Sequence, residues 1–522
     1  MHACLNVDEI VRLIAHELVA ANGRATAVCL ACSCKGFEDL VLDALWEKQG
    51  FLLPLLKTFP GDVWKEGGQI VSAPTTRIFS LLNYPTRKTF NRLPTTTEWA
   101  RFRKYAQRMR EFNQYGTPGY PSPETLSVIQ NYTINEPLLP NLKTLELIGV
   151  EGWFIPFIPL FLSPTATFIF LVFRPGSDLP KDILTSTITT LPTLCPNLQA
   201  INLDILPRDP TITAAVSRML LATDQNRLHQ LRVDSPLTEE ANELIYKLPG
   251  LRTLSVVIER ETPLPSASLP NLIDLTIICD NGDCWPRLFH GATFGKLDSV
   301  TFYLESEEVG DFLGVFEKAA FSSSIQNTLS RLFISAKCSW DPKYSSLLPF
   351  TQLVDLKIES SCDDGCSSRV DDDIVISLSR AMPKLEILGL GDTPCYQITT
   401  GVTTKGLLAL AHHCPNLSTL RVHLQVASLS DPPVIPETVP NAGPAASWTD
   451  CALRELEVGD TPAPEGSELI VALTLLRIFP RLESLVFPSE GWEEVENAIN
   501  LSRRIINCSS KRPPHYALRC PQ

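Results

Sequence analysis

Apolar residues recur in this chain as a short phrase. In PNLKTLEL, Pro140 to Leu147, leucines stand at 142, 145 and 147. The last positions alternate apolar and polar, as a half-buried strand requires. A proline, or Cys-Pro, just before the first leucine punctuates the phrase. The same order returns at Leu198-Ile201-Leu203, Leu228-Leu231-Val233, Leu251-Leu254-Val256, Leu272-Leu275-Ile277 and Leu297-Val300-Phe302. It continues at Leu329-Leu332-Ile334, Leu353-Leu356-Ile358, Leu385-Leu388-Leu390, Leu417-Leu420-Val422, Leu453-Leu456-Val458 and Leu482-Leu485-Phe487. A weaker copy, Ala166-Ile169-Leu171, fills the one long gap.

With that copy included, first positions are 21 to 36 residues apart. Helix-like stretches lie between them, among them Thr211–Ala222, Thr238–Leu248, Val309–Ala320, Val402–His413 and Glu465–Phe479. A strand and a helix per unit, at this period, match the leucine-rich repeat. The predicted fold class is α/β: a right-handed leucine-rich-repeat solenoid, or horseshoe, with a parallel sheet lining its inner side. Two insertions interrupt the rhythm, Ser360–Asp373 and the Pro-rich Ser428–Asp450, and a closing helix is expected over Trp492–Ile506.

The first fifty residues follow a helical period instead. Asn6 and Glu9 have capping-box spacing, and Val7, Ile10, Val11, Ile14 and Leu18 recur at helical intervals. A second helix is expected from Thr26 to Lys35, stopped by Gly36, and a third through Phe37, Leu40, Val41, Ala44, Leu45 and Trp46. Further on, Trp99 to Phe112 reads as a basic amphipathic helix with Trp99, Phe102, Ala106 and Met109 on its packed face. The domain plan is therefore 1–50 helical, 51–135 linker, 136–490 repeats, and 491–522 closing helix and tail.

The order Leu5, Val7, Glu9, Ile10, Leu13, Ile14, then Leu30, Cys34, Phe37, Leu40, then Leu45-Trp46 resembles an F-box. That three-helix module docks a substrate receptor onto the Skp-type adaptor of a cullin ubiquitin ligase. The exit ALWEKQGFLLPLL, Ala44 to Leu56, is similar to that of a large fungal set of F-box proteins with degenerate leucine-rich repeats. Where that family often has Pro after its first leucine, Asn6 stands here. The resemblance implies adaptor contacts by Leu5, Val7, Ile10, Leu13, Ile14, Leu30, Cys34, Phe37, Leu40, Leu45 and Trp46. It also implies a ligase core as partner, and a target protein on the repeats.

Charge and cysteine usage narrow the partners. A net charge of −13 opposes bulk nucleic-acid binding. Fifteen scattered cysteines, with Asp8, Glu9, Arg12 and Glu17 in place of an apolar signal core, suggest free thiols in cytoplasm or nucleus. Trp153 to Phe173 carries no charge for 21 residues, but Pro156, Pro159 and Pro164 interrupt it. The repeat register predicts a helical turn over Phe157–Leu162 and then a strand, so no membrane partner is expected.

Chemistry is sparse. Gly389 and Gly391 begin a G-x-G that gains no third glycine. Cys362 and Cys366 flank Asp363 and Asp364, yet no second ligand pair accompanies them. His412, His413 and Cys414 end a helix, where histidine meets the helix dipole. No catalytic residue, metal or cofactor is expected. By strand alternation Phe168, Phe170 and Val172 point to the concave side, as do Asp355, Lys357 and Glu359, Arg421 and His423, and Glu455 and Glu457. Of these, Phe168, Phe170, Asp355, Glu359, Arg421, Glu455 and Glu457 are the expected target contacts. Two alternatives stand beside the ligase reading: a repeat scaffold with no ligase link, and a GTPase-activating protein.

Overall fold

The computed structural model describes residues 7–65, 89–115, 121–133, 136–173, 180–205, 208–259, 268–279, 286–289, 292–305, 311–323, 325–337, 342–361, 370–391, 401–430, 451–459, 461–487 and 491–510. They fall into two compact units, Met1–Val257 and Ile258–Gln522.

The first unit begins with α1 (Asp8–Ala20), α2 (Arg24–Ser33) and α3 (Lys35–Glu47). Val11, Ala15, Ala27, Ala31, Phe37, Leu40, Val41 and Ala44 form their shared core. Two local expectations are corrected. The cap of α1 is Val7, with no side-chain hydrogen bond, and Asn6 lies outside the described residues. The break between α2 and α3 falls at Cys34, which is extended (φ −151°, ψ 130°), so Gly36 sits inside α3.

There follow β1 (Lys48–Gln49), α4 (Leu53–Leu56), the antiparallel pair β2 (Trp64–Lys65) and β3 (Thr89–Phe90), and α5 (Thr96–Ala106). Thr95 and Glu98 cap α5 reciprocally, satisfying two backbone N–H groups that the first turn leaves open. The Glu98 carboxyl is held down at about 2, chiefly by Arg92. The helix stops at Ala106, well short of Phe112. Glu111–Tyr115 is instead a strand, β4, and opens the repeat stack. Met109, Phe112 and Gln114 occupy the three inward positions of one more repeat phrase, and all are buried.

The unit continues with α6 (Pro123–Tyr132), β5 (Thr144–Val150), β6 (Phe168–Phe173), α7 (Lys181–Leu194), β7 (Ala200–Asp204), α8 (Pro210–Ala222), β8 (Gln230–Val233), α9 (Glu239–Ile245) and β9 (Thr253–Ile258). The uncharged stretch resolves into a 3-10 helix over Gly152–Phe161 and the strand β6. No helix among the described residues is long and apolar enough to cross a membrane. The strands pair in parallel in the order β1-β4-β5-β6-β7-β8-β9.

The second unit contains β10 (Asp274–Cys279), α10 (Pro286–Phe289), β11 (Ser299–Leu304), α11 (Phe312–Ser323), β12 (Arg331–Lys337), β13 (Asp355–Ser361), α12 (Asp372–Ala381) and β14 (Ile387–Leu390). After these come α13 (Thr404–His413), β15 (Thr419–Arg421), α14 (Val426–Ser430), β16 (Glu455–Glu457), α15 (Glu468–Ile478), β17 (Ser484–Val486) and α16 (Glu493–Ser510). Strands β10 to β17 also pair in parallel, each with the next. Within each unit the repeat strands thus pair neighbour to neighbour in a mixed α/β stack.

The phrase explains the register. Its second and third apolar positions align from strand to strand, as at Leu332, Leu356 and Leu388, and are buried. The first leucine is buried beside them, at Leu142 or Leu385 for example. The Pro-Asn before it has its own use. Asn141 donates through Nδ2 to Gln107 O at 2.8 Å, and Asn197 to Pro164 O at 2.8 Å. Each amide satisfies a carbonyl one repeat earlier, which fixes the turn without a helix.

Seven described cysteines are free thiols. Burial pushes the thiol of Cys195 up to about 11 and that of Cys414 to about 12, so both resist ionisation. Cys29 and Cys32 are exposed. Iodoacetamide at pH 8 should therefore modify Cys29 and Cys32 in minutes, and Cys195, Cys414 and Cys451 only with denaturant. Peptide mass spectrometry with and without denaturant checks this, and equal labelling would refute it.

Candidate partner-binding surfaces

The three-helix unit offers two apolar faces on α1. Val11 and Ala15 point inward, and Leu18 and Val19 pack beside them. Outward stand Val7 (42% exposed), Leu13 (64%) and Ile14 (37%), with Ile10 half-buried beside them. Spacings of three and four place Ile10, Leu13 and Ile14 on one stripe. Val28 adds an exposed apolar side chain on α2. The other residues of the F-box-like order fall elsewhere. Phe37 and Leu40 belong to the core, and Leu30, Cys34 and Leu45 pack against it, partly buried. Trp46 packs against Tyr105 of α5 in a tilted pair, 4.8 Å between ring centres. Leu5 lies outside the described residues.

This unit is fastened to the repeats that follow it. Arg108, between α5 and β4, forms ion pairs with Asp39 and Asp43 on α3 and donates to Asp39 O at 3.0 Å. Arg110 N donates to Glu47 O at 2.8 Å, and β1 then pairs with β4 through Lys48 with Glu111 and Gln49 with Phe112. Lys48 Nζ lies 3.2 Å from Glu111. The basic side chain of Arg108 is thus the clamp of a joint, while that of Arg110 donates to Asn141 O in the next repeat.

On the open face of the first unit, Phe168, Phe170 and Val172 point away from the core and are half-buried rather than exposed. Register places Phe170 between Glu146 and Asn202, and Val172 between Ile148 and Asp204. Phe170 is thus flanked by polar side chains, and Val172 by one apolar and one acidic residue. Burial, and then Asp234, raises the carboxyl of Asp204 above its usual range.

The open face of the second unit is charged. Arg331 on β12 reaches Asp298 at 2.9 Å and Asp274 at 3.4 Å. On β13, Asp355 and Lys357 are 3.8 Å apart, and burial raises the Asp355 carboxyl against the pull of Lys357. Arg421 on β15 bridges Glu359 on β13 at 3.4 Å and Glu457 on β16 at 3.1 Å. The first of these bonds crosses β14, whose outward position beside Arg421 is Gly389. A Cβ there would stand 3.3 Å from Lys357 Cγ. Glycine at this position leaves the space that the neighbouring long side chains use.

His423 lies beside two more glycines, both with positive φ. A Cβ on Gly391 (φ 80°) would come within 3.4 Å of the imidazole, and one on Gly459 (φ 56°) within 2.6 Å. Glu455 is exposed at the rim. Asp355, Glu359, Glu455 and Glu457 therefore share this face with Lys357 and Arg421, an acidic surface whose central arginine is already held by two carboxylates.

The remaining candidates serve the backbone. Asp371 caps α12 by accepting from Ile374 N at 3.0 Å, and Asp372 accepts from Thr403 N and Gly406 N. Cys362, Cys366, Asp363 and Asp364 lie outside the described residues. His412 and His413 stack at 4.7 Å at the end of α13, and burial lowers the pKa of His413. No group of three histidine, cysteine or carboxylate side chains among the described residues is placed to hold a metal.

No family model matches the chain, and no curated protein matches it. Among solved structures it is similar to the Rad7 and Elc1 complex in yeast, with TM-score 0.36 and 15% identity, over 65% of this chain and 77% of that one. It is also similar to a protein from Bacteroides fragilis, with TM-score 0.23 and 12% identity, over 57% of this chain and 65% of that one. At such scores neither likeness adds to the argument from the residues.

Proposed function

We propose that this chain is the substrate-recognition subunit of a Skp–cullin–F-box ubiquitin ligase, and that it performs no chemistry of its own. The observation that carries the reading is the outer stripe of α1. A three-helix unit with a complete small core has no folding use for Val7, Leu13 and Ile14 on its surface, whereas a docking helix does. The F-box-like residue order points the same way. In this reading the repeats form a right-handed leucine-rich-repeat horseshoe, and its concave side holds a target protein. The clamp at Arg108 supports it as well, because a receptor works by holding its target at a fixed place near the transferring enzyme. The acidic face around Arg421 suits a target with a basic segment.

Affinity purification of the full chain from cytosol, with mass spectrometry, tests both halves. A Skp-type adaptor and a cullin should co-purify with it, along with a target. Glu455→Lys should diminish the target by about tenfold while leaving the adaptor untouched, since a reversed rim charge sets like against like. A preparation without adaptor or cullin refutes the ligase reading and leaves a repeat scaffold. Unchanged recovery of every target by Glu455→Lys and by Phe168→Ala with Phe170→Ala refutes binding on the concave side.

A further inference from the structure

The helix α15 carries a second apolar stripe, far in sequence from the first. Leu469 is 57% exposed, Ile470 45% and Leu473 51%, with Leu476 half-buried beside them. These residues share one side of the helix by spacing. The opposite side, Val471, Ala472, Leu475 and Ile478, is buried, and α14 and α16 pack against α15. The stripe is what remains open.

Its charges are sorted by end. Glu465 and Glu468 stand before it, and Arg477 and Arg481 after it. Among the described residues none of the four forms an ion pair. The helix dipole accounts for Glu468 in the first turn and Arg477 in the last. It does not account for Glu465 and Arg481, which lie outside the helix, nor for the apolar residues between.

We propose that this stripe joins two copies of the chain, with the α15 helices antiparallel about a two-fold axis at Leu473. Such an axis sets Leu473 on Leu473 of the second copy and Ile470 on Leu476. It also brings Glu468 to Arg477 and Glu465 to Arg481, twice over by symmetry. A parallel arrangement would set acid on acid and base on base. The self-complementary order selects a second copy over an unrelated protein. One helix face is smaller than a standard interface, so the expected dissociation constant is roughly 10–100 µM.

Sedimentation velocity on the full chain, from about 1 to 200 µM at low salt, reads the dimer directly. The wild type should shift from monomer to dimer over that range. Leu473→Glu should stay monomeric with an unchanged melting curve, because the side chain is exposed. Glu465→Arg and Arg481→Glu should each weaken the dimer about tenfold, because each removes two symmetry-related pairs. The double variant should recover to within about threefold of wild type, because both partners of each pair are exchanged. A wild type that stays monomeric throughout overturns the proposal. So does a dimer indifferent to Leu473→Glu, or a double variant no better than the single ones.

Discussion

Leu13→Asp with Ile14→Asp should abolish recovery of the Skp-type adaptor and leave the protein folded. Both side chains stand on the outer stripe of α1, and neither belongs to the core of the three-helix unit. Buried apolar anchors supply most of the energy of such contacts, often 2 kcal/mol or more each. Two together are worth about 4 kcal/mol, roughly a thousandfold in affinity. The informative control is Val11→Asp, three residues away and 2% exposed. Placing a carboxylate there should unfold the helices, so adaptor and structure are lost together. Surface plasmon resonance with purified adaptor, beside circular dichroism, separates the two results. Adaptor affinity within threefold of wild type in the Leu13 and Ile14 variant would remove the outer stripe as a docking site.

A second large effect is expected at the far end of the chain. Trp492 is fully buried, and its indole N–H donates to Thr461 O at 2.8 Å. The hydroxyl of Thr461 in turn accepts from Leu424 N at 3.0 Å and donates to Val458 O. Gly491 (φ 100°) turns the backbone into α16, and a Cβ there would meet Ala463 Cβ at 2.6 Å. Terminal repeats stabilise a stack by covering its last apolar layer. Trp492→Ala should destabilise the second unit by about 3–5 kcal/mol, as large-to-small changes in cores do. Trp492→Phe keeps most of the contact area but removes the indole hydrogen bond to the Thr461 carbonyl, and should cost about 0.5–1.5 kcal/mol more than a neutral swap. Urea denaturation followed by circular dichroism measures both. A loss below 1 kcal/mol in the alanine variant would mean that α16 does not seal this end.

The repeats were legible because their signal is apolar and periodic, and thirteen phrases in the sequence became thirteen strands. The strand Glu111–Tyr115 was not. Its phrase, Met109-Phe112-Gln114, puts an amide at a core position, so the alternation that marks every other strand is hidden. Arg108 beside it reads as part of a helix face because its pairing with Asp39 and Asp43, some seventy residues earlier, leaves no local trace. The outward row on β13, β15 and β16 followed from alternation alone. The bridge across Gly389 and the slot for His423 did not, since Gly391 and Gly459 meet only in space. On α1 the sequence could not sort the outer positions from the core. Leucine, isoleucine and valine suit either, and only burial separates Leu13 from Val11.

The pairing of β1 with β4 bears on how such a protein is inherited. In sequence the three helices end near residue 47 and look like a portable cassette. In the folded chain Lys48 and Gln49 complete the edge of the repeat sheet, and Arg108 reaches back to α3. A recombination that carried the helices alone onto another repeat array would leave behind the strand and the arginine that hold them. The block that would have to move together therefore runs from α1 through β4.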